Sequence, residues 1–199
     1  MTKRILWASL ILTAILVGIY PTTYFLIDRK FGLLNTKSDE LLSNIIWNIG
    51  FYTHITLGGL ALLIGWLQFN TKFRVKYQQL HRVIGKVYVV SVILSSISGF
   101  YIALSATGGI IAALGFVSLA ILWLFTTLNA YKSIKNKQIV LHQKMMIYSY
   151  ALCFAAVTLR IWLPILSSIL GDFTKAYIIT AWLCWIPNFL IARNITSRL

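Results

Sequence analysis

Six apolar runs, each near the length of a membrane crossing, follow one another through the 199 residues with only short connections between them. They lie at Ile5–Ile27, Ile45–Phe69, Val83–Leu104, Ile110–Leu128, Met145–Leu166 and Ala176–Ala192. About 20 apolar residues are needed to cross the hydrocarbon core as a helix, and the sixth run is the shortest. Lipid offers no partners to unpaired backbone groups, so only helices or closed barrels can cross it. The alternation of barrel strands is absent. The sequence therefore predicts an all-α, polytopic membrane helical bundle of six transmembrane helices. No connection is long enough for a soluble domain, so residues 1–199 read as a single integral membrane domain. Any site must lie in the bundle or at its rims.

Charge sets the expected orientation. Lys3, Arg4, Lys72, Arg74, Lys76, Arg82, Lys86, Lys132, Lys135, Lys137, Lys144, Arg193 and Arg198 all fall on one side of the six runs. The other side has only Arg29, Lys30, Lys37 and Lys175, and Arg160 lies inside a run. Short loops rich in Lys and Arg stay cytoplasmic, which predicts both termini inside. The net charge of +14 thus tracks topology. A nucleic-acid surface would need a basic stripe interleaved with exposed aromatics or a known module, and neither is present. Lys3 and Arg4 before an apolar run resemble a secretory leader. The run is too long for one, and Gly18-Ile19-Tyr20-Pro21 is a poor cleavage site, so an uncleaved first span kinked by Pro21 is expected. Cys153 and Cys184 fall within runs and read as small hydrophobes. Trp47, Trp66 and Trp123 read as interfacial anchors.

With lipid as solvent, the informative residues are the polar ones that do not belong there. His54 lies about nine residues, or roughly 13 Å, into the second run. Gly50, Gly58, Ala61 and Gly65 share its face. Such a stripe serves either close helix packing or a slot for a flat ligand. Arg160 has a depth similar to that of His54, and no acid inside the runs can pair with it. Backbone carbonyls, water, Tyr or a ligand must satisfy it. His81 and His142 open the third and fifth runs from the same side. On the third, Gly85, Tyr88, Ser95 and Gly99 continue the face of His81, interrupted by Val92. On the fifth, Ser149, Cys153, Ala156 and Arg160 continue that of His142. Two imidazoles at one depth on different helices are what bis-imidazole ligation of a b-type haem requires. Arg82, Lys86 and Lys144 are then candidates for the propionates. The alternative is two solvated interfacial histidines. Pro187 should free a carbonyl in the sixth run, with Asn188 near the level of His81 and His142. No hydrolase elbow, phosphate loop or carboxylate pair occurs, so no catalytic residue is assigned.

Several of these stretches resemble a known family: Leu80-His81-Arg82 with Gly85, Tyr88, Ser95 and Gly99; His142 to Ala151; Val157-Thr158-Leu159-Arg160; and Trp182 to Asn188. They are similar to a bacterial family of membrane proteins designated domain of unknown function 2306. The resemblance implies a helical bundle in a bacterial cytoplasmic membrane and supplies no activity. A weaker likeness is to cytochrome b561-type bundles, whose four-helix core ligates two haems. The fourth run here has no histidine to complete the second haem site. The leading expectation is a membrane redox module with haem b on His81 and His142, while His54 and Arg160 shape an outer quinone or second-haem site. The rivals are a small-solute transporter or channel using Arg160, His54 and Asn188, and a non-catalytic scaffold.

Overall fold

A computed structural model describes residues 2–27, 30 and 32–199. Arg29 lies outside the described residues, as does the Lys3 side chain. Six helical spans are long and apolar enough to cross a membrane: Arg4–Leu26, Ile45–Phe69, Gln78–Ala103, Gly109–Lys135, Ile139–Leu170 and Phe173–Thr196. No strand occurs among the described residues. Six crossings bring both chain ends to one face, called here the basic face. The other is the far face.

The spans match the six apolar runs, but several overrun them at the basic face. The third begins at Gln78, the fourth continues to Lys135, and the fifth begins at Ile139. Hydropathy marks only the hydrocarbon stretch, whereas a helix satisfies its own backbone equally well at headgroup level, where Lys and Arg stems lie along it. His81 and His142 consequently sit within helices, a turn beyond where the apolar runs would place their openings.

Side chains are sorted inversely to a soluble protein. Large apolar groups such as Leu16, Ile110 and Phe125 face outward, while Ser91, Ser95, Ser96, Thr127, Ser149 and Thr180 are buried. Small hydroxylated residues let membrane helices approach and hydrogen-bond one another. Spans two to five form a four-helix core, with the second packed mainly on the third and the fourth on the third and fifth. The first span packs on the second, and the sixth on the fourth and fifth. Gly65 shows how close these approaches are: a Cβ there would lie 2.5 Å from Tyr150 and 2.9 Å from Tyr88.

Three spans are interrupted. Pro21 sits in a 3-10 turn, Tyr20–Thr22, near the far end of the first span. The fifth breaks at Phe154, between helices Ile139–Cys153 and Ala155–Leu170, and Pro164 lies within the second without ending it. The sixth divides into Phe173–Leu183 and Ile186–Thr196, with Pro187 in the first turn of the latter, where its missing N–H is harmless. The two broken spans are tied together. Thr158 donates to the Cys184 carbonyl, and the Asn188 amide nitrogen lies 3.0 Å from that carbonyl, 3.1 Å from Thr158 Oγ1 and 3.3 Å from the Ala151 carbonyl. Asn188 therefore sits in the middle of the bundle, not at the level of His81 and His142. Breaking a helix frees carbonyls where the break is, and that is where the amide is held.

The tryptophans also depart from expectation. Trp47 and Trp123 are buried. Trp47 stacks on Phe51 beneath the far-face connection that carries Leu34 and Leu42, and Trp123 belongs to the main core. Both are packing residues. The connection folding over Trp47 was the feature that span counting could not supply.

Candidate functional site

The structure gathers the four singled-out polar residues into two separate clusters, one per face. At the far face, His54 Nδ1 lies 2.9 Å from the Ser95 carbonyl and 3.2 Å from Ser95 Oγ, while Ser95 Oγ donates to the His54 carbonyl at 2.9 Å. A carbonyl oxygen only accepts, so Nδ1 carries the ring proton. In the neutral imidazole, Nε2 is then left with a lone pair. Gly99 makes this possible, since a Cβ there would lie 2.7 Å from Nδ1. The stripe beside His54 is filled by neighbouring helices: Gly50 by Tyr101 and Ile102, Gly58 by Ser95, Gly65 by the two tyrosines. Helix packing accounts for these glycines.

Arg160 lies within electrostatic reach of His54. Its guanidinium carbon lies 4.5 Å from the centre of the Tyr20 ring, and Nη1 donates to the Ala156 carbonyl at 2.9 Å. Tyr24 meets Tyr20 edge-on with ring centres 5.9 Å apart. Among the described residues the ion pairs are Lys30–Asp39 and Lys175–Asp172, and no described carboxylate pairs with Arg160. A cation over an aromatic face is attracted by about 0.5–2 kcal/mol, more when desolvated. The break at Phe154 splits the expected stripe of the fifth span. Ser149 faces the four-helix core, whereas Arg160 faces the first span. Tyr20 and Tyr24, one turn apart, were the missed partners, and their i, i+4 spacing was the available signal.

At the basic face, His142 Nδ1 lies 2.9 Å from the Ala130 carbonyl of the fourth span. By the same reasoning Nδ1 is protonated and Nε2 is free to ligate, the orientation that a backbone acceptor gives metal-binding histidines. His81 lies across the bundle, within electrostatic reach of His142, Arg74 and Arg82. Its Nδ1 is buried and has no hydrogen-bond partner, and the same is true of Gln68 Nε2. Gln68 is 8% exposed, and its Oε1 lies 3.4 Å from where a Cβ on Gly85 would be. Two orphaned buried nitrogens beside a histidine pair are unusual, since such groups are normally satisfied. Neither Gln68 nor Arg74 had been singled out. Both lie at the end of the second span or just beyond it, where polarity is unremarkable in sequence.

The donor set fits a haem in these respects. One imidazole is oriented with Nε2 free, the second lies on a facing helix, and Arg74 and Arg82 flank it as cations for propionates. The Gln68 amide, which fills the room beside Gly85, is a movable group that a flat ligand would displace or hydrogen-bond.

Between the clusters lies a closed chain of hydroxyls. Thr127 Oγ1 donates to the Trp123 carbonyl at 2.7 Å and so accepts from Ser149 Oγ, also at 2.7 Å. Ser149 has then used its only proton and must accept from the Tyr88 hydroxyl at 2.8 Å. The chain ends on a carbonyl, which cannot pass a proton onward. It ties three spans together at the centre of the bundle and separates the two polar clusters.

Residues 51–196 match the family model described as predicted membrane protein (DUF2306). The chain belongs to that family of multi-pass membrane proteins. No curated protein and no solved structure matches it.

Proposed function

We propose that the protein is a haem-binding redox module of a bacterial cytoplasmic membrane, with both termini in the cytoplasm and His81 and His142 as axial ligands of a b-type haem. The observation that carries the reading is the His81–His142 pair itself: His142 bonded through Nδ1 to Ala130, and His81 opposite with an unpartnered buried nitrogen. Haem, when bound, supplies a one-electron couple. The protein's part is orientation and charge. Ala130 fixes the His142 ring, and Arg74 and Arg82 offer charge to propionates.

The far-face cluster suits a quinone or quinol headgroup better than a second haem, because Arg160, itself held by the Tyr20 ring, is the group near His54 and the fourth span has no histidine. His54 Nε2 is the atom that would accept a proton from a quinol hydroxyl, and Arg160 would donate to a quinone oxygen. His54 contacts Ser95, which lies about 21 Å along the third span from His81 at 1.5 Å per residue. A solute pathway is less well supported, because Asn188 is committed to the two broken spans and the Tyr88–Ser149–Thr127 chain fills the middle.

An absorption spectrum of the full chain, purified in mild detergent after haem supplementation, tests the reading. A Soret band is expected that His81→Ala and His142→Ala each abolish and Asn188→Ala leaves intact. No band in the unsubstituted chain overturns the proposal. A non-catalytic scaffold would show no band and would also tolerate His54→Gln in cells.

A further inference from the structure

The charges left over after folding lie on one face. All four acids, Asp28, Asp39, Glu40 and Asp172, fall in the far-face connections, where they match four cations. Lys30 pairs with Asp39 at 2.6 Å and Lys175 with Asp172 at 3.5 Å. Lys37 is half-buried and donates to the Ser105 carbonyl and to Thr107 Oγ1. The basic face has thirteen Lys and Arg residues and no acid. With Arg160 alone between the faces, the basic face carries the rest of the net +14. Orienting a membrane protein needs only an excess of cations. Thirteen without one counter-charge is an anion-binding surface.

The depth of these cations selects the anion. The connections on this face are short, so its cations lie at or near helix ends. Cationic and apolar groups alternate there. The short helix Thr71–Lys76 exposes Lys72 and Lys76 beside Val75, which is 76% exposed, and Tyr77. That mixture belongs in the headgroup layer. At the start of the fifth span, Ile139, Val140 and Leu141 are exposed beside Lys144. Apolar side chains next to an ammonium suit an acyl chain and its phosphate.

We propose that the basic face selectively binds anionic phospholipids, with headgroup phosphates on Lys72, Lys76 and Lys144 and acyl chains against the exposed Val75, Ile139, Val140 and Leu141. This is independent of the haem reading.

The test uses the full chain reconstituted in phosphatidylcholine vesicles with spin-labelled phosphatidylglycerol or spin-labelled phosphatidylcholine as probe. Phosphatidylglycerol should associate about five-fold more strongly, the factor for roughly one cation in contact with each headgroup. The preference should approach parity in the Lys72→Gln, Lys76→Gln, Lys144→Gln variant. It should also do so for the unsubstituted chain in about 1 M salt, where screening acts within roughly 3 Å. Lys30→Gln with Lys175→Gln at the far face should leave it unchanged. Parity in the unsubstituted chain overturns the proposal, as does an unaltered preference in the triple variant. Should that variant keep its lipid preference but lose salt-sensitive binding of an acidic flavodoxin added as a probe, the face docks proteins and the lipid proposal fails.

Discussion

The two histidine clusters are built to opposite tolerances. At the far face the His54 ring is held: Nδ1–H donates to the Ser95 carbonyl, and a Cβ on Gly99 would lie only 2.7 Å from that nitrogen. Arg160 beside it is met by Tyr20 and by its own helix. At the basic face the corresponding glycine, Gly85, has only a flexible amide 3.4 Å away, and two buried nitrogens lack partners. The far cluster fixes its imidazole through Nδ1 and leaves Nε2 open, whereas the basic cluster has His81 Nδ1 and Gln68 Nε2 still to be completed. The difference is why the proposed function puts the haem on His81 and His142 and the quinone at His54 and Arg160.

The largest expected effect separates the clusters directly. His142→Ala removes an entire ligand, so the haem spectrum should be lost, whereas His54→Ala should leave the Soret band in place and slow reduction or oxidation by an added quinol or quinone. A spectrum lost equally in both variants would mean that the two clusters form one site, and the contrast would collapse.

Next in size is the steric contrast between the glycines. Gly99→Ala drives a methyl into an imidazole held by two hydrogen bonds, and overpacking of this kind costs about 1–3 kcal/mol. Gly85→Ala meets only the end of the Gln68 side chain and should cost well under half as much. Thermal unfolding in detergent, read as loss of monodispersity, measures both. Equal destabilisation would show that the basic cluster is as tightly closed as the far one.

How far the sequence reached follows the same division. The six spans were readable because a lipid crossing demands a long apolar run whatever surrounds it. The pairing of His81 with His142, and of His54 with Arg160, was readable because helical rise converts sequence offset into depth. What surrounds each residue was not. In sequence Val92 interrupts a polar stripe, yet it is wholly buried, since a membrane helix buries by packing and not by polarity. Arg160 was placed on the stripe of His142, but the break at Phe154 has no proline or glycine to announce it. Asn188 was set too near the basic face, because depth counted along a continuous helix fails once that helix is broken. Gln68 escaped notice because its burial depends on Gly85, a residue of another span.

The hydroxyl chain between the clusters offers a smaller effect with a definite internal order. Ser149→Ala removes two hydrogen bonds and leaves the Tyr88 hydroxyl without its acceptor, at about 2 kcal/mol for one unsatisfied buried group. Tyr88→Phe removes only the first donor, because Ser149 can still donate to Thr127, and should cost about 1 kcal/mol. The reverse order in detergent unfolding would mean that Ser149 donates to Tyr88 and that the chain runs the other way.

The smallest effect lies outside the membrane, at the far-face turn into the sixth span. Asp172 caps the helix that begins at Phe173, accepting from the Lys175 backbone N–H at 3.0 Å. That hydrogen bond, aided by the Lys175 ammonium, holds its carboxyl below the usual value of 3.8. A carboxyl lowered on folding stabilises the native chain while ionised. Its contribution is present above the unfolded value and is lost as pH falls from 3.8 through the folded one. Hydrogen exchange of the first amides of the sixth span should therefore accelerate over that window. Asp172→Asn keeps an oxygen to cap the helix but has no proton to gain, so it should exchange slightly faster at neutral pH and show no acid transition. Acid-dependent exchange that persisted in Asp172→Asn would remove the capping role given to Asp172.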